Sequence, residues 1–204
     1  TSAPIGEIAM QNLEFFSGKS QLSQGDFDTL IGLPSDQTSE LPTIEGAFVS
    51  GVNIGIEHQF KSLEWSNSSF RDCNFKHVDF SNSMFKSCVF DNCKFESCKM
   101  EETGLDSCEL SNVRFIDHHF KSSAFLGCIF SKVRFIFTMF STTLIYKGRF
   151  SGVVLDGCFK TADSGFIAVE GTDSVDLRRS DVPDIIKQST EELNETFEVL
   201  GVGV

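Results

Sequence analysis

A large apolar residue recurs at every fifth position through the middle of this chain. The series begins at Phe60 and continues without interruption to Leu155. Its members are Phe60, Trp65, Phe70, Phe75, Phe80, Phe85, Phe90, Phe95, Met100, Leu105, Leu110, Phe115, Phe120, Phe125, Phe130, Phe135, Phe140, Ile145, Phe150 and Leu155. A period of five matches neither the period of a helix nor that of a strand, which excludes an ordinary amphipathic element here.

A second register lies two residues before each of these positions and carries mostly small or medium-sized side chains. All seven cysteines belong to it, namely Cys73, Cys88, Cys93, Cys98, Cys108, Cys128 and Cys158. A chain that turns a corner every five residues would place both registers inside and the other three positions outside. Four such sides make a square coil of about 20 residues, whose turns stack at the ~4.8 Å spacing of paired strands.

With these two registers, residues 44–160 resemble the pentapeptide-repeat family. The resemblance implies an all-β solenoid, a right-handed quadrilateral parallel β-helix of about five coils. Cys, Ser, Thr or Val largely replace the family's small Ala, and Phe largely replaces its Leu, so the core is bulkier. We therefore expect an N-terminal flank or cap at 1–43, the β-helix at 44–160 and a C-terminal cap at 161–204.

The cysteines are interpreted as small buried hydrophobic residues. Residues twenty apart lie above one another in a square coil, which gives the ladders Cys88–Cys108–Cys128, Cys73–Cys93 and Cys98–His118–Thr138–Cys158. An odd number of inward thiols argues against a disulfide framework. A line of thiols does not surround a zinc ion tetrahedrally. We expect no metal site and no cofactor.

The sequence does not predict an enzyme. His118 beside Cys98 in the third ladder invites a cysteine nucleophile, but a catalytic thiol must be exposed and polarised. Both residues are expected to be buried. The chain contains no Walker or dinucleotide glycine loop, no HExxH and no GxSxG, so the common signatures of catalysis are missing.

The flanks are expected to cover the two ends of the coil, because an open solenoid end is an exposed sheet edge. The N-terminal flank has weakly helical stretches. At the other end, Asp181 suits a helix cap, Pro183 a first turn and Gly201 a stop, which predicts an amphipathic α-helix over about 182–200. Its apolar stripe consists of Ile186, Leu193, Phe197 and Leu200.

Apolar residues also occupy outward positions in the later coils. Ile116 and Ile136 lie on one side of the coil and Leu126 and Tyr146 on another, and Ile129, Phe137 and Met139 add to the outward apolar surface. Exposed apolar surfaces are usually covered or used in binding. We expect this one to receive the C-terminal helix, from the same chain or from a second copy, or a partner protein. The chain is therefore expected to be a monomer, or a dimer through that helix.

Charge is distributed unevenly along the chain, whose net charge is −12. Residues 1–59 carry −7, residues 60–163 carry +1 and residues 164–204 carry −6. The coil is therefore close to neutral and the flanks are acidic. The later coils form a basic end, with Arg114, Lys132, Arg134, Lys147 and Arg149. Direct binding of nucleic acid is not expected.

Three functions are open, because this fold does not determine function. The first is a non-catalytic protein-binding scaffold. The second comes from the ending FEVLGVGV, which resembles the tail of the Qnr and microcin-resistance group and implies DNA mimicry that protects DNA gyrase. A DNA mimic should carry its negative charge on the rod, and this coil is near neutral. The third is target recognition, because the Phe- and Cys-rich pentads resemble β-helix domains of bacterial secreted effectors, some linked to ubiquitin ligases.

The location follows from the thiols and from hydropathy. Free inward cysteines favour a reducing compartment, hence the cytoplasm, whereas the effector hypothesis predicts delivery into a host cytosol. No apolar run is long enough to cross a bilayer, so no membrane span is expected.

Overall fold

The computed structural model describes residues 21–28, 41–55, 60–170, 175–180 and 185–187. Within these ranges the chain is a parallel β-solenoid of about six turns with one short helix, α1 (Gln24–Asp28). The predicted all-β solenoid is confirmed. It has about six turns instead of the predicted five, because parallel pairing begins at Thr43 and continues past residue 160.

Short strands follow one another along the whole coil. The first twelve are β1 (Thr43–Glu45), β2 (Phe48–Ser50), β3 (Asn53–Ile54), β4 (Glu64–Ser66), β5 (Ser69–Arg71), β6 (Asn74–Lys76), β7 (Met84–Lys86), β8 (Val89–Asp91), β9 (Lys94–Glu96), β10 (Lys99–Glu101), β11 (Gly104–Asp106) and β12 (Glu109–Ser111). The others are β13 (Arg114–Ile116), β14 (His119–Lys121), β15 (Ala124–Leu126), β16 (Ile129–Ser131), β17 (Arg134–Ile136), β18 (Met139–Ser141), β19 (Leu144–Ser151), β20 (Val153–Asp156), β21 (Phe159–Lys160), β22 (Gly165–Glu170), β23 (Val175–Arg178) and β24 (Ile185–Lys187).

These strands stack into four faces. Face 1 contains β1, β4, β7, β11, β15, the first part of β19, β22 and β24, and face 2 contains β2, β5, β8, β12, β16 and the second part of β19. Face 3 contains β3, β6, β9, β13, β17, β20 and β23, and face 4 contains β10, β14, β18 and β21. The long strand β19 passes the corner between faces 1 and 2 without a break, and so joins them in one sheet.

A residue in the left-handed backbone conformation makes each corner. Examples are Asn67 with a φ of 49°, Asn92 with 52° and Gly127 with 61°. Most side chains adopt this conformation rarely, whereas Gly and Asn tolerate it best. Asn, Asp, Ser and Gly occupy most corners of this coil. The five-residue period therefore comprises two inward residues, two outward residues and one left-handed corner.

Stacked aromatic rings fill the interior. Along face 3 the ring centroids of Phe75 and Phe95 are 4.8 Å apart, and those of Phe95 and Phe115 are 5.0 Å apart. Phe115 and Phe135 follow at 5.1 Å, nearly coplanar. Rings of neighbouring faces meet edge to face, as Phe75 and Phe80 do. Both arrangements are favourable for aromatic pairs, and the predicted inward register is confirmed by its burial.

All seven cysteines are buried and none forms a disulfide. The Sγ atom of Cys98 lies 3.4 Å from the carbonyl oxygen of Phe75 and 3.5 Å from that of Glu96. Burial raises the pKa of the Cys98 thiol to about 11, so it stays protonated at neutral pH and donates to these carbonyls. The described residues contain no cluster of three or more His, Cys, Asp or Glu that could hold a metal ion.

His118 differs from the other members of its ladder. Its side chain is only 3% exposed, and neither ring nitrogen has a hydrogen-bond partner among the described residues. The ring stacks on Phe115 and contacts Phe120 edge to face at 4.7 Å. Desolvation lowers the pKa of His118 to about 3, so the imidazole is neutral. A buried polar group without a partner costs stability.

The first turn and the N-terminal flank meet at Leu22. Its backbone nitrogen donates to the carbonyl of Phe48 at 2.6 Å, and its side chain is fully buried. The side-chain oxygen of Gln24 accepts a hydrogen bond from the backbone of Asn53. These contacts attach the flank to the coil. β1 pairs with β4 at a distance of 21 residues, as in Thr43 and Glu64, so the first turn is one residue longer than those that follow.

The C-terminal end differs from the prediction. Ile185–Lys187 form β24, parallel to β22, where the amphipathic helix of about 182–200 was expected. Ile186 pairs with Ile167 as a strand residue. β-branched residues suit a pleated ladder, and β22 offers an unpaired edge, so strand pairing outweighs the local helix signals here. The other stripe residues, Leu193, Phe197 and Leu200, lie outside the described residues.

We predict that replacing His118 by Thr makes the coil less sensitive to acid. The unfolded chain binds a proton at this group below about pH 6.5 and the folded chain only below about 3. The free energy of unfolding therefore falls as the pH drops through this interval, by at most ~1.4 kcal/mol per pH unit for one proton. Urea unfolding of His118→Thr should show a flatter pH dependence between those values.

The neighbouring His119 provides the matched control. It is exposed, and its ring contacts the hydroxyl of Ser141. His119→Thr should retain the pH dependence of the parent chain. If His118→Thr and the parent chain lost stability equally as the pH falls, His118 would not be the cause of the pH dependence.

Candidate protein-binding surface

The seven outward apolar residues do not form one surface. Ile116 and Ile136 are register partners on face 3, and Leu126 and Tyr146 are register partners on face 1. The others are Ile129 on face 2, Met139 on face 4 and Phe137 at the corner between faces 3 and 4. Five-residue sides point these positions in different directions, as the sequence count indicates for the first two pairs. That one of these surfaces receives the C-terminal helix or a partner protein stays a prediction.

Three exposed large apolar side chains and the half-buried Ile136 lie at or beside the corner between faces 3 and 4. We call this group the aromatic corner, and it consists of Ile136, Phe137, Met139 and Phe159. Phe137 is 59% exposed, Phe159 55% and Met139 41%. Met139 and Phe159 are register partners on adjacent strands, while Phe137 directly follows Ile136. Two aromatic rings and two aliphatic side chains are therefore presented together to solvent.

Phe137 occupies an unfavourable backbone conformation. Its φ is 50°, at a corner where the coil mostly uses Asn, Asp, Ser or Gly. Bulky residues rarely adopt this region, and strained positions often belong to functional sites. The ring lies against the backbone of Gly157, where a Cβ would stand 2.6 Å from Cδ1 of Phe137. Glycine at that position therefore leaves room for the ring.

The guanidinium group of Arg179 lies over one face of the Phe137 ring. The Cζ atom of Arg179 lies 5.9 Å from the ring centroid, within the range of a cation–π contact. Arg179 also donates from Nε and Nη2 to one carboxylate oxygen of Asp156, at 2.9 and 2.6 Å. Arg179 is thereby fixed between ring and carboxylate. The aromatic corner has a defined polar rim, as protein interfaces do.

Sequence reasoning missed Phe159, Leu144 and Leu177, which are exposed large apolar residues. Phe159 could have been found, because it lies twenty positions after Met139 in the same outward register. Leu177 pairs with the inward Leu155 on the last turn, so its exposure reflects its place at the end of face 3. That position cannot be inferred from a regular count, because β20 and β23 pair at a distance of 22 residues.

A smaller apolar group lies on face 1. Leu126 and Leu144 are each 37% exposed and flank Tyr146, whose ring is 5.3 Å from Nζ of Lys147. The width of face 4 separates this group from Ile136 and Phe137, because face 4 lies between faces 1 and 3. This group is therefore a second, independent surface.

The basic end is also divided. Arg114 and Arg134 are register partners on face 3, and Lys132 is at the corner that precedes β17. Lys147 is at the corner between faces 1 and 2, and Arg149 is on face 2. Only Arg114 and Arg134 share a face with Ile116 and Ile136 of the apolar set.

A family model described as "Pentapeptide repeat region" matches residues 68–158. Residues 68–158 of this coil are a pentapeptide-repeat region. The match covers the turns in which two inward registers, left-handed corners and four stacked faces recur. The resemblance noted from the sequence is confirmed, and Ile136, Phe137, Met139 and the Arg114–Arg134 pair lie within the matched residues.

Several solved pentapeptide-repeat proteins are similar to this chain. A trypsin-treated form of QnrB1, a plasmid-mediated fluoroquinolone resistance protein, is 17% identical with a TM-score of 0.33, covering 79% of this chain and 89% of its own. Rfr23 from the cyanobacterium Cyanothece 51142 is 10% identical with a TM-score of 0.22, covering 72% and 91%. HetL, involved in heterocyst differentiation regulation in Nostoc sp. strain PCC 7120, is 8% identical with a TM-score of 0.21, covering 91% and 95%.

These values are too low for any of the three proteins to indicate what this chain binds. Among curated proteins no match to the chain is found. In the described part of the chain no helix is both long and apolar enough to cross a membrane.

We predict that Phe137→Asn stabilises the coil. Asn tolerates the left-handed corner that strains Phe, which should raise the free energy of unfolding by about 1 kcal/mol. Loss of the contacts with Gly157 and Arg179 offsets part of this gain. Urea denaturation of the purified chain measures the effect.

Met139→Asn is the matched control, since Met139 is also exposed but lies in a strand. No corner strain is relieved there, so this variant should gain nothing. Equal losses of stability in both variants would show that the left-handed position of Phe137 is not costly.

Proposed function

We propose that this chain is a non-catalytic scaffold that binds a protein through its aromatic corner. The observation that carries the proposal is Phe137, a phenylalanine that is more than half exposed at a left-handed corner. Its position is unfavourable for solvation and for backbone conformation. Met139 and Phe159 beside it supply further apolar surface.

The shape of the surface favours a protein partner. Small-molecule sites are concave and enclose their ligand, whereas the aromatic corner is an outward edge of a square coil. Exposed aromatic side chains are typical energetic centres of protein interfaces. The polar rim formed by Arg179 and Asp156 suits the same kind of contact.

A scaffold role also agrees with the chemistry of the thiols. Every cysteine is buried, and burial is the main cause that raises the pKa values of Cys98 and Cys158. Thiols that are inaccessible and, like those of Cys98 and Cys158, held protonated by burial are poor nucleophiles. The backbone of the aromatic corner is held by pairing between turns. Binding of a partner there therefore orders few side chains and costs little conformational entropy.

The proposal predicts that two substitutions at the aromatic corner abolish partner capture without unfolding the chain. The intact chain and the double variant Phe137→Asn/Phe159→Ser are immobilised, and proteins retained from a lysate of the source cells are quantified. Exposed aromatic anchors typically contribute about 2 kcal/mol each, so specific partners should be retained at least ~10-fold less by the double variant.

Lys99→Ser is the control, because Lys99 lies on face 4 three turns below Phe159 and outside the aromatic corner. It should retain the same proteins as the parent. Direct titration with the retained protein then measures the affinity. Identical sets of retained proteins for the parent and the double variant would reject the aromatic corner as a binding surface.

Protection of DNA gyrase is a second candidate, favoured by the ending FEVLGVGV. The charge of the coil opposes it: residues 111–160 contain seven bases and two acids, where a DNA mimic needs negative charge. We expect micromolar protein to leave gyrase supercoiling, with and without a quinolone, unchanged relative to an inert protein. Relief of quinolone inhibition would overturn this expectation. The effector hypothesis also requires protein recognition, and so would use the same surface.

A further inference from the structure

Two arginines on face 3 are placed directly beside each other. Arg114 on β13 and Arg134 on β17 are register partners, so their backbones are separated by the ~4.8 Å strand spacing. Both side chains are exposed, and neither makes a hydrogen bond or ion pair within the part of the chain that the structure describes. Like charges directly opposite each other on a sheet are destabilising. The fold itself gains nothing from this pair.

The carboxylates on the described part of face 3 are already engaged elsewhere. Glu96 is paired with Lys76 at 2.8 Å and also with Lys94. Hydrogen bonds from the two lysines lower the pKa of Glu96 to about 2, and the bond from Lys76 has the larger effect.

On the later turns, Asp156 accepts from Arg179 and Asp176 pairs with Arg178 at 2.6 Å. Arg114 and Arg134 are thus left as an uncompensated positive charge on this face.

An aliphatic pair lies next to the arginines. Ile116 and Ile136 are also register partners, each two residues along its strand from an arginine. Two residues of a strand span ~6.6 Å, and side chains two apart point to the same side of the sheet. Face 3 therefore presents an arginine stripe, Arg114 and Arg134, beside a parallel isoleucine stripe, Ile116 and Ile136. The isoleucine stripe continues into the aromatic corner through Phe137.

We infer that face 3 binds an extended protein segment in which acidic and aliphatic residues alternate. This inference rests on the proposed function, because it names the chemistry of a partner that approaches the same corner. An extended segment that follows the coil axis between the two stripes directs alternate side chains to opposite sides. Its carboxylates meet the arginine stripe, where guanidinium and carboxylate pair in two parallel hydrogen bonds. Its aliphatic side chains meet the isoleucine stripe.

Charge and hydropathy together select this partner. A nucleic acid offers anionic groups to the arginine stripe but no aliphatic group to Ile116 and Ile136. A purely apolar segment leaves both guanidinium groups without a partner. Only a segment with both kinds of side chain satisfies the two stripes at once.

The test uses the full chain and a fluorescein-labelled probe peptide, Gly-Glu-Leu-Glu-Val-Glu-Leu-Gly. Fluorescence anisotropy at low salt should show saturable binding that weakens as salt is added. The counterpart peptide with Lys in place of Glu should not bind. Arg134→Glu should weaken binding roughly tenfold, since it removes one partner and reverses its charge. Ile116→Ser/Ile136→Ser should weaken it about fivefold.

Arg134→Glu also separates binding from folding. It places a carboxylate opposite Arg114, so the urea midpoint should stay equal or rise while binding is lost. Lys99→Glu, with the same charge change on face 4, should bind the probe with at most a twofold loss. A similar loss in Lys99→Glu and Arg134→Glu would reduce the effect to overall charge and overturn the inference.

Two further results would also overturn it. One is equal displacement of the probe by a single-stranded oligonucleotide of the same charge. The other is the absence of probe binding to the parent chain. If capture of a partner still depends on Phe137 and Phe159, the scaffold proposal stands and only the chemistry assigned to the partner fails.

Discussion

Backbone hydrogen bonds between successive turns determine everything else in this coil. The nitrogen of Arg114 donates to the carbonyl of Cys93 at 3.0 Å, and that of Arg134 donates to Val113 at 2.9 Å. Repeated around each turn, these bonds place residues twenty apart in vertical columns. Residues of the same type at equivalent positions of successive turns therefore lie directly above one another. Phenylalanines become a ring stack, cysteines become a ladder of thiols, and Arg114 and Arg134 become a repulsive pair.

The same columns explain how much the sequence could predict. The inward registers and the burial of the cysteines follow directly from the period of five, because burial repeats with it. The outward positions were only partly assigned, since the count separates Ile116 from Leu126 but Ile129 was given no side of its own. Phe159 was detectable by its spacing from Met139. The sequence could not predict that the ring nitrogens of His118 lack hydrogen-bond partners, because this depends on which carbonyl groups the ring can reach.

The prediction failed most clearly where the period ends. Asp181 and Pro183 are local signals of a helix start. They carry no information about an unpaired strand edge that is close in space. Strand β24 forms because β22 presents that edge, and the pairing distance there is no longer twenty residues. Long-range backbone pairing of this kind leaves no local trace in the sequence. In the same way, the strain at Phe137 was hidden until the corner conformation was known.

Each turn contacts only the turns before and after it. Adding or removing a block of about 20 residues would therefore lengthen or shorten the coil by one storey, ~4.8 Å, without changing the direction of any face. The coil then acts as a ruler with fixed graduations. Evolution could therefore change the distance between the arginine stripe and a feature nearer the N-terminus by whole turns. Both would still face the same partner.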